Sequence, residues 1–250
     1  MSDQEPVDFG YRQVPAAEKA RRVRSVFDSV AGNYDAMNDA MSLGMHRLWK
    51  RFAADRCAVR PGHCVLDLAG GTGDMAALLW PALKNNGSLM VADINQAMLE
   101  RGRARLADRG ILGGGLQFIQ ADAEQLPFAD RCFDTISIAF GLRNVTHKQR
   151  ALESMFRVLR PGGQLVILEF SHARLGPLNA LYDAYSLHWL PRLGKILAGD
   201  ADSYRYLAES IRRHPDQETL LSMMEQAGFE RARYFNLSGG IVAVHQGVRL

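Results

Sequence analysis

The sequence has few cysteines, no long apolar run and little net charge, and each shortage excludes a class of protein. Its three cysteines, Cys57, Cys64 and Cys132, are odd in number and lack metal-type spacing, so we expect buried thiols in a reducing compartment. No apolar stretch approaches the roughly 18 residues of a membrane span, and the N-terminus lacks a signal-peptide pattern. A net charge of +3 is too small to indicate nucleic-acid binding. We therefore expect a cytoplasmic protein without a metal cluster, and leave peripheral contact with the inner membrane open.

The composition that is present indicates a folded domain. Hydrophobic residues make up 47% of the 250 residues and charged residues 23%, which is typical of globular proteins. Residues 1–15 are polar and contain Pro6 and Pro15, so we expect them to be flexible. We expect residues 16–250 to form a single domain.

A glycine-rich stretch organises this domain. An apolar run of strand type ends at Asp67 and Leu68, three glycines follow, and a helical pattern begins at Asp74. Glycines let the backbone turn sharply and bring its N–H groups close to a ligand, at the strand end where open α/β sheets bind cofactors. The residues expected to contact a cofactor here are Asp67, Gly70, Gly71, Thr72 and Gly73.

Charge near this turn favours one kind of cofactor. The pattern Gly71-x-Gly73-x-x-Ala76 fits a dinucleotide fingerprint, so an NAD(P)-dependent reductase is one alternative. However, Asp67 and Asp74 are expected to face the same crevice, and two like charges about 4 Å apart repel by roughly 4 kcal/mol at an effective dielectric of 20. Such an acidic floor disfavours a diphosphate and favours a cationic ligand. S-adenosylmethionine, which carries a sulfonium and an ammonium but no phosphate, satisfies this condition.

The rest of the chain alternates between strand and helix patterns, which predicts an α/β fold with a Rossmann-like sheet and helices on both faces. The expected strands are 64–68, 88–92, 116–120, 133–139 and 165–170, followed by a hairpin of 231–237 and 241–246 across Gly239 and Gly240. Asp93 ends the second strand at the spacing of a ribose-binding acid, although it could instead cap the next helix.

Two helical regions are expected to cover the crevice. Residues 16–60 predict N-terminal lid helices, and residues 16–31 form a basic amphipathic pattern that either packs on the domain or lies on an anionic membrane. Residues 171–215 are too long for a simple connection, which is typically 2–6 residues. Their apolar and aromatic content suits a cap over a greasy aromatic substrate, or ordinary core packing.

Several motifs resemble known families. The glycine turn resembles that of class I S-adenosylmethionine-dependent methyltransferases, with Ala69 in place of the first glycine. From about Phe9 to the C-terminus, the chain resembles the ubiquinone/menaquinone biosynthesis C-methyltransferase family. The segments that carry this resemblance are Tyr34-Asp35-x-Met37-Asn38 with Ser42, His46 and Trp49, then Phe140-Gly141-Leu142-Arg143-Asn144-Val145, then Arg157-Val158-Leu159-Arg160-Pro161-Gly162-Gly163, and Glu169-Phe170-Ser171.

The resemblance implies a class I methyltransferase fold that ends in an antiparallel hairpin and binds S-adenosylmethionine. Asp122 and the backbone of Ala123 would meet the adenine, and Ala139 stands near the cofactor where relatives commonly have Ser. The implied reaction is methylation of a ring carbon of a polyprenylated benzoquinol or naphthoquinol. A non-catalytic, methyltransferase-like scaffold of a quinone-biosynthesis complex is a further alternative, and contact with other such enzymes or with a second copy stays open.

Catalytic and substrate-binding residues follow from the same resemblance. Arg143 could orient a water or stabilise the phenolate, or could form a structural ion pair. His46 has a suitable ordinary pKa for general-base work. The other candidates for contact with the quinol are Asn144, Tyr34, Asp35, Asp202 and Tyr204. The motifs of nucleic-acid methyltransferases are absent after residue 139.

Overall fold

Strands and helices alternate along the chain, as the sequence pattern predicts. The computed structural model describes residues 4–30, 38–39, 42–84, 86–172 and 201–250. Among these residues, no helix is both long and apolar enough to cross a membrane. In chain order the elements are β1 (Pro6–Phe9), β2 (Arg12–Pro15), α1 (Ala16–Val30), α2 (His46–Arg56), β3 (Cys64–Leu68), α3 (Asp74–Leu83), β4 (Ser88–Asp93), α4 (Gln96–Asp108), β5 (Leu116–Gln120), β6 (Phe133–Ala139), α5 (Lys148–Val158), β7 (Leu159–Phe170), α6 (Ala201–Arg213), α7 (Gln217–Gln226), β8 (Glu230–Leu237) and β9 (Val242–Val248).

A seven-stranded sheet forms the centre of the described chain. Its strand order is β5-β4-β3-β6-β7-β9-β8. The first five strands in this order pair in parallel, and β9 pairs antiparallel with both β7 and β8. The predicted fold class is therefore confirmed, including the C-terminal hairpin. The order reverses between β3 and β6, which is where open α/β sheets form a ligand crevice.

Hydrophobic packing on both faces explains why the parallel strands are apolar. Val65 belongs to a cluster on one face with Leu79 of α3, whereas Leu66 belongs to a cluster on the other face with Leu152 of α5. Successive side chains of a strand point to opposite faces, so a strand covered on both sides is apolar throughout. This burial holds the carboxyl ends of the strands at one edge of the sheet.

The prediction that residues 1–15 are flexible is wrong for residues 6–15. They form the antiparallel hairpin β1–β2, in which Val7 pairs with Val14. The ring of Phe9 stacks on Tyr206 of α6 with centroids 4.2 Å apart, so a contact distant in sequence orders the hairpin. Strand β7 also begins earlier than predicted, at Leu159, and shows a register shift against β6.

Helix α1 packs on the domain, which confirms the first of the two alternatives for its apolar face. Val23 is buried in the core cluster, and Phe27 packs against that cluster. Arg21 and Arg24 are exposed on the opposite side. Of the predicted cap 171–215, residues 173–200 lie outside the described residues, and α6 begins at 201.

Candidate active site

A cavity lies at the carboxyl ends of the parallel strands, beneath α1. Side chains and backbone from four strand ends and from two helices, α1 and α4, line it, so its wall is assembled from distant parts of the chain. The lining residues are Ala20, Val23, Phe27, Leu68, Ala69, Gly71, Asp93, Ile94, Met98, Ala121, Asp122, Ala123, Glu124, Ile138, Ala139, Phe140, Gly141, Asn144, Val145 and Thr146. Six residues predicted from sequence therefore meet here: Gly71, Asp93, Asp122, Ala123, Ala139 and Asn144.

The glycine turn between β3 and α3 forms one side of this cavity. Gly71 and Gly73 have φ of 48° and 80°, which favours glycine over any residue with a side chain. A Cβ atom on Gly70 would lie 2.6 Å from a methyl carbon of Val91, so this position has no room for one. Gly71 reaches the cavity, whereas Gly70, Gly73 and the buried Thr72 build the turn behind it.

Asp93 links the glycine turn to the second strand. Its Oδ2 accepts from the backbone N–H of Gly71 at 3.0 Å, and its Oδ1 accepts from the N–H of Asn95 at 2.9 Å. The N-cap of α4 is Asn95, which accepts from the N–H of Met98, so the alternative of Asp93 as the helix cap is wrong. Burial raises the pKa of Asp93 to about 6, against the lowering effect of its backbone hydrogen bonds.

A further part of the cavity wall follows β5 and β6. Asp122 is exposed, lines the cavity and caps a short 3-10 turn by accepting from the N–H of Glu124 at 2.9 Å. Ala123 lies in that turn, and Ala139 ends β6. Phe140 follows in a left-handed conformation with φ of 57° and also lines the cavity.

The cavity is acidic, as expected, but the prediction that Asp67 and Asp74 face it is wrong. Asp74 does not line the cavity. Lys50 instead binds its Oδ2 at 2.8 Å and Arg105 its Oδ1 at 3.2 Å. Asp67 lies fully buried under the turn and accepts from Ser137 at 2.8 Å. Burial raises the pKa of Asp67 to about 7. The negative character of the cavity comes instead from Asp93, Asp122 and Glu124, which line it.

Arg143 forms the buried ion pair that was weighed against a catalytic role. Its guanidinium contacts Glu169 of β7 at 2.9 Å, and both side chains are almost fully buried. The same guanidinium donates to the carbonyl of Phe140, and the backbone N–H of Arg143 donates to Glu169. Arg143 does not line the cofactor-side cavity. The contacts hold the chain after β6 in place.

The two other catalytic candidates lie in different places. Asn144 lines the cavity, and its side-chain oxygen accepts from the hydroxyl of Tyr206 at 3.1 Å. His46 starts α2 outside the lining of the cavity, with Nε2 3.0 Å from Asp39. Burial, followed by the charge of Lys50, lowers the pKa of His46.

The four predicted substrate-binding residues do not meet within the described part of the chain. Tyr34 and Asp35 lie outside the described residues. The side chain of Asp202 is 88% exposed and pairs with Arg205 at 3.0 Å. Tyr204 is buried in the core cluster. Among the described residues, no group of three or more His, Cys, Asp or Glu side chains is arranged to hold a metal.

Sequence reasoning missed one wall of the cavity. Ala20, Val23 and Phe27 of α1 close it, and Ile94 and Met98 flank Asp93. Asn95 fixes α1 above β4, because its side-chain nitrogen donates to Asp28 at 2.8 Å. Apolar Ile94 directly after Asp93 was a signal that the sequence offered. The placement of α1 could not be predicted from the sequence, because a helical pattern does not indicate which strand ends the helix covers.

Comparison with known proteins places these features in a family. Residues 15–249 match the ubiE/COQ5 methyltransferase family. The chain is similar to three proteins named ubiquinone/menaquinone biosynthesis C-methyltransferase UbiE. The protein of Serratia proteamaculans is 58% identical over the full length of both chains. That of Coxiella burnetii is 60% identical with 96% of both chains covered, and that of Pseudomonas putida is 57% identical, covering 96% of this chain and 94% of its own.

Solved structures support the fold independently. A methyltransferase of Haloferax volcanii, solved with a methyltransferase activator, matches with a TM-score of 0.65 at 18% identity and covers 90% of this chain and 96% of its own. A SAM-dependent methyltransferase of Thermotoga maritima matches with a TM-score of 0.63 at 19% identity, covering 91% of this chain and 100% of its own. At such low identity, these matches establish the fold alone.

Proposed function

The chain belongs to the ubiE/COQ5 methyltransferase family, and from that premise we propose that it transfers a methyl group from S-adenosylmethionine to a ring carbon of a polyprenylated quinol. The relatives are named as C-methyltransferases of ubiquinone and menaquinone biosynthesis, which supports this step. The proposal rests on one observation: Gly71, Asp93, Asp122 and Asn144 line the same cavity.

The residues present fit this cofactor. Three carboxylates, Asp93, Asp122 and Glu124, line the cavity, which suits a ligand that bears an ammonium and a sulfonium. Asp93 is fixed by two backbone N–H groups at the tip of β4, a position from which its carboxylate can accept from ribose hydroxyls. Gly71 keeps its backbone open to the cavity, where a Cβ atom would lie 3.3 Å from Met98.

If the cavity binds S-adenosylmethionine, the residues that line it and those behind it have different roles. Asp93 would bind the ribose, Asp122 and Ala123 would hold the adenine, and the apolar side chains of Ile94 and Met98 would line the same part of the site. Asp67, Gly70, Thr72 and Gly73 hold the turn that presents Gly71. When bound, S-adenosylmethionine supplies an electrophilic methyl group on a sulfonium. Ala139 and Phe140 exclude water at the end of β6, where the methyl acceptor would approach.

The acceptor carbon needs electron density from a neighbouring phenol and an aligned approach to the methyl group. Asn144 is the polar side chain best placed to orient a ring hydroxyl, because Tyr206 occupies its oxygen and leaves its amide nitrogen to donate. Arg143 acts as a positioning residue, since its pair with Glu169 holds the turn that carries Phe140 and Asn144. His46, Tyr34, Asp35, Asp202 and Tyr204 stay predictions, as do dimerisation, membrane contact and binding to other quinone-biosynthesis enzymes.

Product identification tests this function. The protein is incubated with S-adenosylmethionine labelled in its methyl group and with demethylated benzoquinol or naphthoquinol of several tail lengths. We expect label in the quinol ring and an equal amount of S-adenosylhomocysteine. Asn144→Asp retains size but removes the amide donor, and we expect slower turnover with nearly normal cofactor affinity.

The alternatives give different results in the same assay. A reductase would bind NADH or NADPH saturably and would not respond to S-adenosylmethionine. A scaffold would bind S-adenosylmethionine but would release no S-adenosylhomocysteine with any prenylated quinol. Either pattern would contradict the proposal.

A further inference from the structure

A second cavity lies on the other side of the segment 143–148. It has a volume of about 290 Å³ and is bounded by the β1–β2 hairpin, α1, α6 and the start of α5. Most of its lining side chains are polar. They belong to Pro6, Val7, Asp8, Gly10, Gln13, Lys19, Arg143, Thr146, Lys148, Tyr206, Ser210 and Arg213.

Two lysines converge in this cavity. Lys19 is only 4% exposed, although it belongs to an otherwise solvated basic face of α1. Its Nζ lies 3.4 Å from the carbonyl oxygen of Val145, and Nζ of Lys148 lies 3.2 Å from the same oxygen. Burial, and next the charge of Lys148, lowers the pKa of Lys19 to about 8. The two ammonium groups therefore repel each other.

No carboxylate of the described chain lies within ion-pair distance of either lysine. The nearby acids have other partners: Asp8 lies 3.8 Å from Arg213, Glu169 pairs with Arg143, and Glu124 accepts from the N–H of His147. A buried charge is costly unless it is paired. One carbonyl oxygen shared by two ammonium groups is a weak partner for them.

We propose that this cavity binds a phosphate group, with Lys19 and Lys148 as its charged ligands. A phosphate carries enough charge to neutralise both ammonium groups at once, and lysine is a common phosphate ligand. Arg213 and Asp8 also line the cavity and lie 3.8 Å apart, so their charges offset each other and leave the two lysines as its unpaired cations among the described residues. The group could belong to a soluble phosphorylated molecule or to a phospholipid headgroup, and the two sources are distinguished below. The site is separate from the cofactor cavity and does not depend on the proposed function.

Thermal unfolding with sodium diphosphate as the probe, at constant ionic strength, tests the site in the full-length protein. A ligand that binds only the native state raises Tm by mass action, and we expect a rise of about 5 °C at about 100 times Kd. Lys19→Met and Lys148→Met should each abolish most of this rise. Arg24→Met is the matched control, because it removes one positive charge from the exposed face of the same helix, and it should keep the rise.

The unliganded variants separate a binding role from a structural one. If Lys19 serves a ligand, Lys19→Met removes an unpaired buried charge and should leave Tm unchanged or higher without diphosphate. A marked drop in Tm for both lysine variants, with no diphosphate effect on the wild type, would overturn the proposal.

A second experiment, with lipid vesicles, identifies the source of the phosphate group. Co-sedimentation is measured with vesicles of phosphatidylglycerol and phosphatidylcholine for the same four proteins. Binding that Lys19→Met and Lys148→Met lose and Arg24→Met keeps would assign a lipid headgroup. A diphosphate effect with the same pattern but without vesicle binding would assign a soluble ligand. Failure of both arms would refute the site.

Discussion

The two cavities share one segment of chain but differ in charge. Asn144 and Val145 line the cofactor cavity, Arg143 and Lys148 line the second cavity, and Thr146 lines both. Carboxylates at the strand ends make the first cavity negative, whereas the lysines make the second positive. A single stretch after β6 thus separates a site suited to a sulfonium from one suited to a phosphate. If both proposed sites bind these ligands, neighbouring residues serve opposite charges because the chain passes between two cavities.

The boundary between the cavities depends on the pair of Arg143 and Glu169. Arg143→Met should lower the free energy of unfolding by about 3–5 kcal/mol, because Glu169 would remain buried without its charged partner. Urea unfolding measures this loss. The double variant Arg143→Met with Glu169→Gln should recover much of it. If Arg143→Met unfolds like the wild type, the pair does not hold the boundary.

The raised pKa of Asp67, which lies under the glycine turn of the acidic cavity, predicts that stability depends on pH. The folded pKa of Asp67, about 7, lies above its ordinary value of 3.8. Between these values the folded state binds more protons than the unfolded state, so the contribution of Asp67 to stability is present at pH 4 and is lost as pH rises through 7. Each unit of pKa difference corresponds to about 1.4 kcal/mol.

Asp67→Asn isolates this effect from the other titrating groups. The unfolding free energy of the variant, relative to the wild type without cofactor, should rise by up to about 4 kcal/mol from pH 4 to pH 7. Asp134→Asn is the control, because Asp134 pairs with Arg160 near the surface. A difference between wild type and Asp67→Asn that does not change with pH would contradict the assignment of a raised pKa.

Local patterns predicted the sheet well. The bounds of β3, β5 and β6 agree with the sequence prediction, because each is a short apolar run between turn residues. The glycine turn and Asp93 were also readable, since a fixed spacing after a strand specifies their place. These features depend on residues that lie close together in sequence.

Features that depend on distant contacts were not readable. Asp74 was expected to face the ligand, but Lys50 from α2 and Arg105 from α4 neutralise it. The hairpin β1–β2 is ordered by the ring of Tyr206, about 200 residues away in sequence. The second cavity could not be predicted for the same reason. In the sequence, Lys19 is indistinguishable from the other basic residues on the solvated face of α1.

Substitution of Asp93 tests most directly whether the acidic cavity binds S-adenosylmethionine. Asp93→Ala should weaken S-adenosylmethionine binding by about 100-fold, because it removes a charged acceptor of ribose hydrogen bonds. Isothermal titration calorimetry measures the loss, and the diphosphate effect at the second cavity should persist. Asp93→Asn keeps the shape and the acceptor for Gly71, so its loss should be smaller. Unchanged affinity in both variants would remove Asp93 from the site.

The smallest expected effect concerns α1, the wall that both cavities share. Val23 and Phe27 face the cofactor cavity, Lys19 faces the second, and the bond between Asn95 and Asp28 fixes the helix. Asp28→Ala breaks this bond but leaves the Asn95 cap of α4 intact, so we expect both S-adenosylmethionine and diphosphate to bind about 2–5 times more weakly. Asp28→Asn keeps an acceptor oxygen and should bind both normally. A change in only one affinity would mean that α1 does not couple the two cavities.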